Sequence, residues 1–128
     1  MDSPAHRKWT GLGNELILSN LRRLAASGAC IRVRMPMIPE VNASEDNLRQ
    51  TGAFLAQLGG AIQSLDLLPH HQLARAKYAA LGESARFYDA APMPDTQVEA
   101  AAEFLRSYKL TVHIVGRATR KELQCLPQ

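Results

Sequence analysis

Two adjacent histidines, His70 and His71, follow an apolar segment at residues 61–68 and Pro69. An imidazole in this position could ligate a metal, contact a bound ligand, or hydrogen-bond to the backbone. Adjacent residues of an extended segment point to opposite sides, so the two side chains are poorly placed to share one metal. No third ligand accompanies them at a recognised spacing. We expect at most one imidazole to face a ligand, and residue type alone favours a backbone hydrogen bond for both.

Arg34 is the second candidate. It belongs to an alternating segment in which Ile31, Val33 and Met35 share one face and Arg32 and Arg34 share the other. A guanidinium on an interior face of a sheet needs an anionic partner, because an unpaired buried charge is costly. Near the carboxyl end of a strand, the side chain would point at a ligand. Spacing alone slightly favours the simpler alternative, in which Arg34 pairs with a neighbouring acid or is solvated.

The remaining histidines and the two cysteines indicate less. His6 precedes every predicted element, and His113 alternates with apolar neighbours on a predicted strand. Structural roles suit both of them. A metal site built from His70, His71 and possibly His113 would therefore have an incomplete set of ligands. Cys30 and Cys125 match neither a zinc motif nor a disulfide framework. We expect Cys30 to be buried and Cys125 to be a free thiol in a polar tail.

An alternation of helices and strands must position these side chains. Spacing predicts helices over 14–27, 45–58, 72–82 and 96–109, with Asn14, Ser44 and Asp95 as N-caps. Strands are predicted over 29–35, 61–68 and 110–116, and Pro36 is expected to begin a loop. Strands joined through helices form a parallel sheet by right-handed crossovers. In such sheets ligands lie at the carboxyl ends of the strands, here the loops that begin at Met35 and Pro69.

Three parallel strands form a thin sheet with two unprotected edges, so the pattern is that of part of a larger α/β barrel. Residues 1–116 are predicted to form this part, and 117–128 a C-terminal tail. The exposed edge of the sheet could support self-association.

Composition narrows the function classes. The 128 residues carry a net charge of +3, with few aromatic side chains and no basic stripe, so we expect no nucleic-acid binding. No apolar run approaches the ~20 residues that a membrane span needs. The N-terminal residues have no secretory apolar core. A cytoplasmic protein without membrane association is the expectation.

Three segments together resemble one family. They are HRKWTGLGNELILSNLRRLAASG, IRVRMPMIPEVNASEDN and LLPHHQLARAKYAALG, at residues 6–28, 31–47 and 67–82. Their order and spacing resemble the C-terminal half of glycyl-radical-enzyme activating enzymes. In that family the segments read roughly H-K-x-x-T-G-x-x-N-x-x-I-L-x-N-L, I-R-x-P-x-I-P-G-x-N-D and L-L-P-Y-H-x-L-G-x-x-K-Y-x-x-L-G. The pyruvate formate-lyase activating enzyme is the best-known member, within the radical S-adenosylmethionine superfamily.

The resemblance implies a partial (β/α)6 barrel and a radical mechanism. Members use a 4Fe–4S cluster and a reductant such as flavodoxin or ferredoxin to cleave S-adenosylmethionine. The 5′-deoxyadenosyl radical then removes a hydrogen from a glycine of a partner, a formate-lyase-like glycyl radical enzyme. Arg34 falls on the family arginine near S-adenosylmethionine, and His71 on the histidine that contacts it. His70 occupies a position at which the family has tyrosine, so the resemblance implies no role for it.

The chain also departs from the family pattern. Glu40 and Ala74 replace glycines, and Ala43 replaces an aspartate, each in a loop near the expected site. The cluster motif C-x3-C-x2-C does not occur. We therefore expect a fragment of an activase that is inactive alone and has no metal ligands of its own. The alternative is a non-catalytic half-barrel that complements a separately encoded N-terminal half or forms oligomers.

Overall fold

The computed structural model describes residues 1–72, 75–84 and 88–116, which form a parallel α/β structure. The strands are β1 (Ile31–Met37), β2 (Ile62–Pro69) and β3 (Val112–Ile114), hydrogen-bonded in the order β1-β2-β3. The helices are α1 (Ser3–Thr10), α2 (Glu15–Ala26), α3 (Glu45–Gln57), α4 (Arg75–Ala80) and α5 (Asp95–Arg106). The predicted parallel sheet with connecting helices is confirmed. The predicted tail at 117–128 lies outside the described residues.

One face of the sheet carries the core. Met37, Leu65 and Leu67 are fully buried there because alternate residues of β1 and β2 point to the same side. Leu55 of α3 and Leu105 of α5 cover them. Burying each of these side chains contributes about 1.5–3 kcal/mol relative to exposure. The register of the two strands and the packing of α3 and α5 therefore stabilise each other.

The opposite face of β1 is open. Arg32, Arg34 and Pro36 are exposed, as the alternation predicts. The expected loop at Pro36 is wrong, because β1 continues to Met37. β1 lies at an edge of the described sheet, and an edge strand tolerates the missing N–H of proline.

Two predicted helix starts need correction. Ser44 caps α3 as predicted, its hydroxyl accepting a hydrogen bond from the Asn47 N–H at 3.3 Å. Asp95 is the first residue of α5 rather than its cap, a position taken by Pro94. Asn14 occupies the N-cap position of α2 without a capping bond and donates instead to the Met1 carbonyl at 2.9 Å.

The N-terminal helices are poorly covered. His6 lies inside α1, so its expected place before any element is wrong; Asp2 supplies the N-cap of this helix. The predicted α2 is confirmed, but Ile17 and Leu24 remain 55% and 51% exposed. No residue of α1 or α2 is buried. Among the described residues, no helix is long and apolar enough to cross a membrane.

A close contact between α3 and the end of α5 generates a stability prediction. A Cβ added to Gly52 would lie 2.6 Å from the Tyr108 ring, so Gly52→Ala forces the ring to move. Helix propensity alone would raise the free energy of unfolding by about 1 kcal/mol. Overpacking costs about 1–3 kcal/mol, so we expect a net loss of about 1 kcal/mol in urea unfolding followed by circular dichroism.

The control is the same substitution in a Tyr108→Ala background. There the clash is absent, and Gly52→Ala should raise the free energy of unfolding by about 1 kcal/mol. A gain of equal size in both backgrounds would show that the Tyr108 ring does not constrain position 52.

Candidate functional site

Arg34 lies on the open face of the sheet, three residues before the end of β1. Its side chain is 63% exposed, and its Nε lies 3.9 Å from Oδ2 of Asp66, whose side chain is 8% exposed. The sequence left open whether Arg34 points at a ligand or pairs with a neighbouring acid, and the structure shows a pair with an acid. The partner, Asp66, was not singled out from the sequence.

The strand register brings the pair together. Arg34 is paired with Asp66, one strand spacing away in the parallel β1–β2 ladder. The Ser64 hydroxyl donates to Oδ1 of Asp66 at 3.4 Å, which helps to satisfy the carboxylate where water has little access. Asp66 is the one carboxylate in the apolar segment 61–68, and alternation along that segment places it on the same face as Arg34. This pattern in the sequence could have identified it as the partner.

The same register extends to the third strand. His113 pairs with Asp66 across β2 and β3 and is exposed, whereas its neighbour Val112 is buried in the core. Arg34, Asp66 and His113 thus form a row across the open face, with the carboxylate in the middle. We refer to these three residues as the cross-strand row.

The two histidines that follow β2 differ in environment. His71 is exposed, and His70 is half-buried, with its backbone N–H donating to the Met37 carbonyl at 2.9 Å. Nε2 of His70 is the one buried side-chain nitrogen or oxygen without a hydrogen-bond partner in the described part of the chain. If the extended path of β2 continued, alternation would place His70, rather than His71, on the side of Arg34. The role of His71 therefore stays a prediction from the resemblance.

A cavity of about 730 Å³ lies beside the outer edge of β1, between α1, α2 and α3. Arg34 contributes to its wall, whereas His70 and His71 do not. Most of the lining is apolar and includes Ile17 and Phe54. The Met1 amino group donates to Oδ1 of Asn47 at this cavity, and burial lowers the pKa of that amino group, although Asp2 and Asp46 act to raise it.

The loop after β1 has a defined conformation. Glu40 adopts φ = 63°, so the left-handed conformation is present although a glutamate stands where the resembled family has glycine. The Asn42 side chain hydrogen-bonds to the backbone of this loop. Its Oδ1 accepts from the Ile38 N–H at 2.8 Å, and its Nδ2 donates to the Pro36 carbonyl at 2.6 Å. Ala43 packs partly buried against the core. Ala74 lies outside the described residues.

The described residues do not fit an iron–sulfur cluster. No group of three histidine, cysteine, aspartate or glutamate side chains in that part of the chain is arranged to hold a metal. Cys30 is exposed, so its predicted burial is wrong; it lies in the turn before β1, outside the core-facing alternation. Cys125 falls beyond the described residues.

Comparisons with known proteins reveal clear relatives, although no protein-family model matches the chain. It is 33% identical over 117 residues to the choline trimethylamine-lyase activating enzyme of Oleidesulfovibrio alaskensis, covering 90% of this chain and 38% of the relative. It is 43% identical over 83 residues to the (2S)-3-sulfopropanediol dehydratase activating enzyme of Klebsiella oxytoca, covering 64% of this chain and 26% of the relative.

A solved structure shows the same fold. The crystal structure of a domain of pyruvate-formate lyase-activating enzyme from Bacteroides vulgatus superposes with a TM-score of 0.74 at 29% identity. The superposition covers 91% of this chain and 62% of that domain. The predicted part of a radical S-adenosylmethionine barrel is confirmed as a fold. This chain spans well under half the length of the curated relatives.

The conformation of Glu40 gives a prediction for the loop after β1. A left-handed residue other than glycine costs about 1–2 kcal/mol, part of which is offset because glycine loses more entropy on folding. Glu40→Gly should therefore raise the free energy of unfolding by up to about 1 kcal/mol in urea.

The matched control is Glu103→Gly, an exposed site in α5 with helical backbone, which should lower the same quantity by about 1 kcal/mol. Destabilisation of similar size by both substitutions would show that Glu40 is not strained.

Proposed function

Because the homologues of this chain are glycyl-radical-enzyme activating enzymes of the radical S-adenosylmethionine type, we propose that it supplies the C-terminal part of such an activase. In this proposal Arg34 and His71 bind S-adenosylmethionine at the carboxyl ends of β1 and β2. The observation that carries the proposal is the alignment of 90% of the chain with one activating enzyme.

The geometry at Arg34 supports a role in ligand binding. The side chain is 63% exposed on the open face, and its Nε lies 3.9 Å from Oδ2 of Asp66. The terminal guanidinium nitrogens can therefore donate to a carboxylate, such as that of S-adenosylmethionine. The exposed imidazole of His71 can hydrogen-bond to the nucleoside part of the ligand.

S-adenosylmethionine, when bound beside a reduced cluster, supplies the 5′-deoxyadenosyl group that removes hydrogen from the glycine of the partner. The residues of this chain would bind and orient that ligand. We infer a partner of the pyruvate formate-lyase type, a flavodoxin or ferredoxin as reductant, and the cytoplasm as the compartment. Likeness to the B. vulgatus domain supports the partner type, although the curated relatives act with other lyases and dehydratases.

The chain alone is proposed to be inactive. The family motif provides three cysteine thiolates, whereas this sequence contains two cysteines 95 positions apart, Cys30 and Cys125. Cluster ligands would have to come from another polypeptide segment.

Ligand affinity tests the assignment of Arg34 and His71. Titration of the ¹⁵N-labelled chain with S-adenosylmethionine, followed by NMR, should give a saturable Kd. Arg34→Gln should raise this Kd about tenfold, because a hydrogen bond to a charged group contributes about 1.5–3 kcal/mol. His71→Ala should raise it about three- to tenfold, since a neutral hydrogen bond contributes about 0.5–1.5 kcal/mol.

Arg49→Gln is the matched control, because Arg49 lies on α3 and pairs with Asp46. It should leave the Kd unchanged. Equal effects of the Arg34 and Arg49 substitutions, or no saturable binding by the unaltered chain, would contradict the proposed site.

A second candidate function is that of a half-barrel that pairs with a cluster-bearing N-terminal half. The cavity beside β1 favours it, because apolar residues including Ile17 and Phe54 line space along a strand edge that no described strand occupies. Ile17 of α2 lines this cavity and is 55% exposed, and exposed apolar surface of this kind is typical of an interface.

Co-expression tests the second candidate. The tagged chain is produced with the N-terminal part of the O. alaskensis activating enzyme, the part in which the resembled family has its cluster motif. We expect co-elution on size exclusion, and 5′-deoxyadenosine after anaerobic reconstitution of the pair but not of the chain alone. Ile17→Lys, in the cavity wall, should reduce co-elution about tenfold, since burying a charge at an apolar contact is costly.

Leu81→Lys is the control, because Leu81 is also an exposed apolar residue, 74% against 55% for Ile17, but lies after α4 and outside the cavity wall. A stable monomer that never co-elutes would overturn this candidate. Formation of 5′-deoxyadenosine by the chain alone would overturn the proposed inactivity.

A further inference from the structure

We propose that Asp66 is a positioning residue for Arg34, holding the guanidinium through its Nε so that the terminal nitrogens face an anionic group of the ligand. The inference about the side chain rests on geometry alone. Its consequence for S-adenosylmethionine rests on the proposed function.

Asp66 and Arg34 differ in how freely their side chains can move. The Asp66 side chain is 8% exposed and sits in the central strand, paired on both sides, so its carboxylate is held by the sheet. The Arg34 side chain is 63% exposed and would otherwise sample many rotamers. A rigid carboxylate beside a mobile guanidinium restricts the guanidinium.

Because Asp66 lies beside Nε of Arg34, the other donor groups of the guanidinium remain available to a ligand. The Nε of Arg34 lies 3.9 Å from Oδ2, an ion-pair distance longer than a direct hydrogen bond. An arginine held at Nε keeps its two terminal nitrogens available as a planar pair of donors. That pair matches a carboxylate, which identifies the class of ligand group that Arg34 would take.

The surroundings of Asp66 give each of its two carboxylate oxygens a different neighbour. The Ser64 hydroxyl donates to the other oxygen, Oδ1, at 3.4 Å, so Oδ2 is left for Arg34. Arg32 lies on the same face two residues away, and the negative charge of Asp66 offsets the repulsion between the two guanidinium groups. His113 flanks Asp66 on β3 and completes the cross-strand row.

Side-chain NMR tests the positioning without any ligand. ¹⁵N relaxation of arginine Nε–H groups should show Arg34 more ordered than a free exposed arginine, and Asp66→Asn should remove this order. Ser64→Ala keeps the charge and should remove it only in part, which provides a second variant if Asp66→Asn does not fold. Asp46→Asn is the matched control and should mobilise Arg49 but not Arg34.

A thermodynamic cycle on S-adenosylmethionine affinity tests the consequence. Asp66→Asn should raise the Kd about five- to tenfold in the unaltered chain and leave it unchanged in an Arg34→Gln background, because the effect passes through Arg34. A purely structural role would give the same factor in both backgrounds.

The outcomes separate this inference from the proposed function. If Arg34 is equally mobile in the unaltered chain and in the Asp66→Asn variant, or if Asp66→Asn acts independently of Arg34, the positioning role is wrong even where the chain binds S-adenosylmethionine. If Asp66 orders Arg34 but the chain does not bind S-adenosylmethionine, the positioning role stands and the proposed function falls.

Discussion

The parallel pairing of β1 with β2 is the constraint on which the rest of the described structure depends. This one register places Met35 opposite Leu67 on the core face and Arg34 opposite Asp66 on the open face. A slip of one residue would exchange the faces, burying a guanidinium and exposing the apolar side chains. Core packing and site geometry are therefore not independent, because the free energy of burying the core also maintains the ion pair.

The distribution of apolar surface follows from the same pairing. Helices α3 and α5 cover the core face, and α5 buries Val98, Ala101 and Leu105 against it. Helix α2 has a comparable apolar stripe but little to pack against, so Ile17 stays exposed at the cavity wall and Leu24 is exposed as well. The thin sheet predicted from three strands thus has an uncovered side as well as uncovered edges. A partner segment along β1 would bury surface that the described residues leave open.

The open face combines a shared topology with local departures from the resembled family. A charged pair on the open face is less costly than a buried one, because the exposed Arg34 remains partly hydrated. The loop after β1 keeps its left-handed residue although Glu40 replaces glycine, since the Asn42 side chain, which follows the turn, bonds to the backbone of Ile38 and Pro36, which precede it. The loop geometry is therefore maintained by hydrogen bonds within the loop as well as by the identity of one residue.

The sequence by itself determined the order of elements from α2 onward, the alternation of β1, and the relationship to the activating enzymes, because periodicity and motif spacing are local properties. For Arg34 it left three alternatives open: an anionic ligand, a neighbouring acid or solvent. Only the tertiary structure identified Asp66 as the partner, because the two residues are 32 positions apart and are brought together by a register that local patterns do not encode. Burial depends on tertiary packing too, which is why Cys30 proved exposed, while Nε2 of His70 proved buried with no hydrogen-bond partner among the described residues.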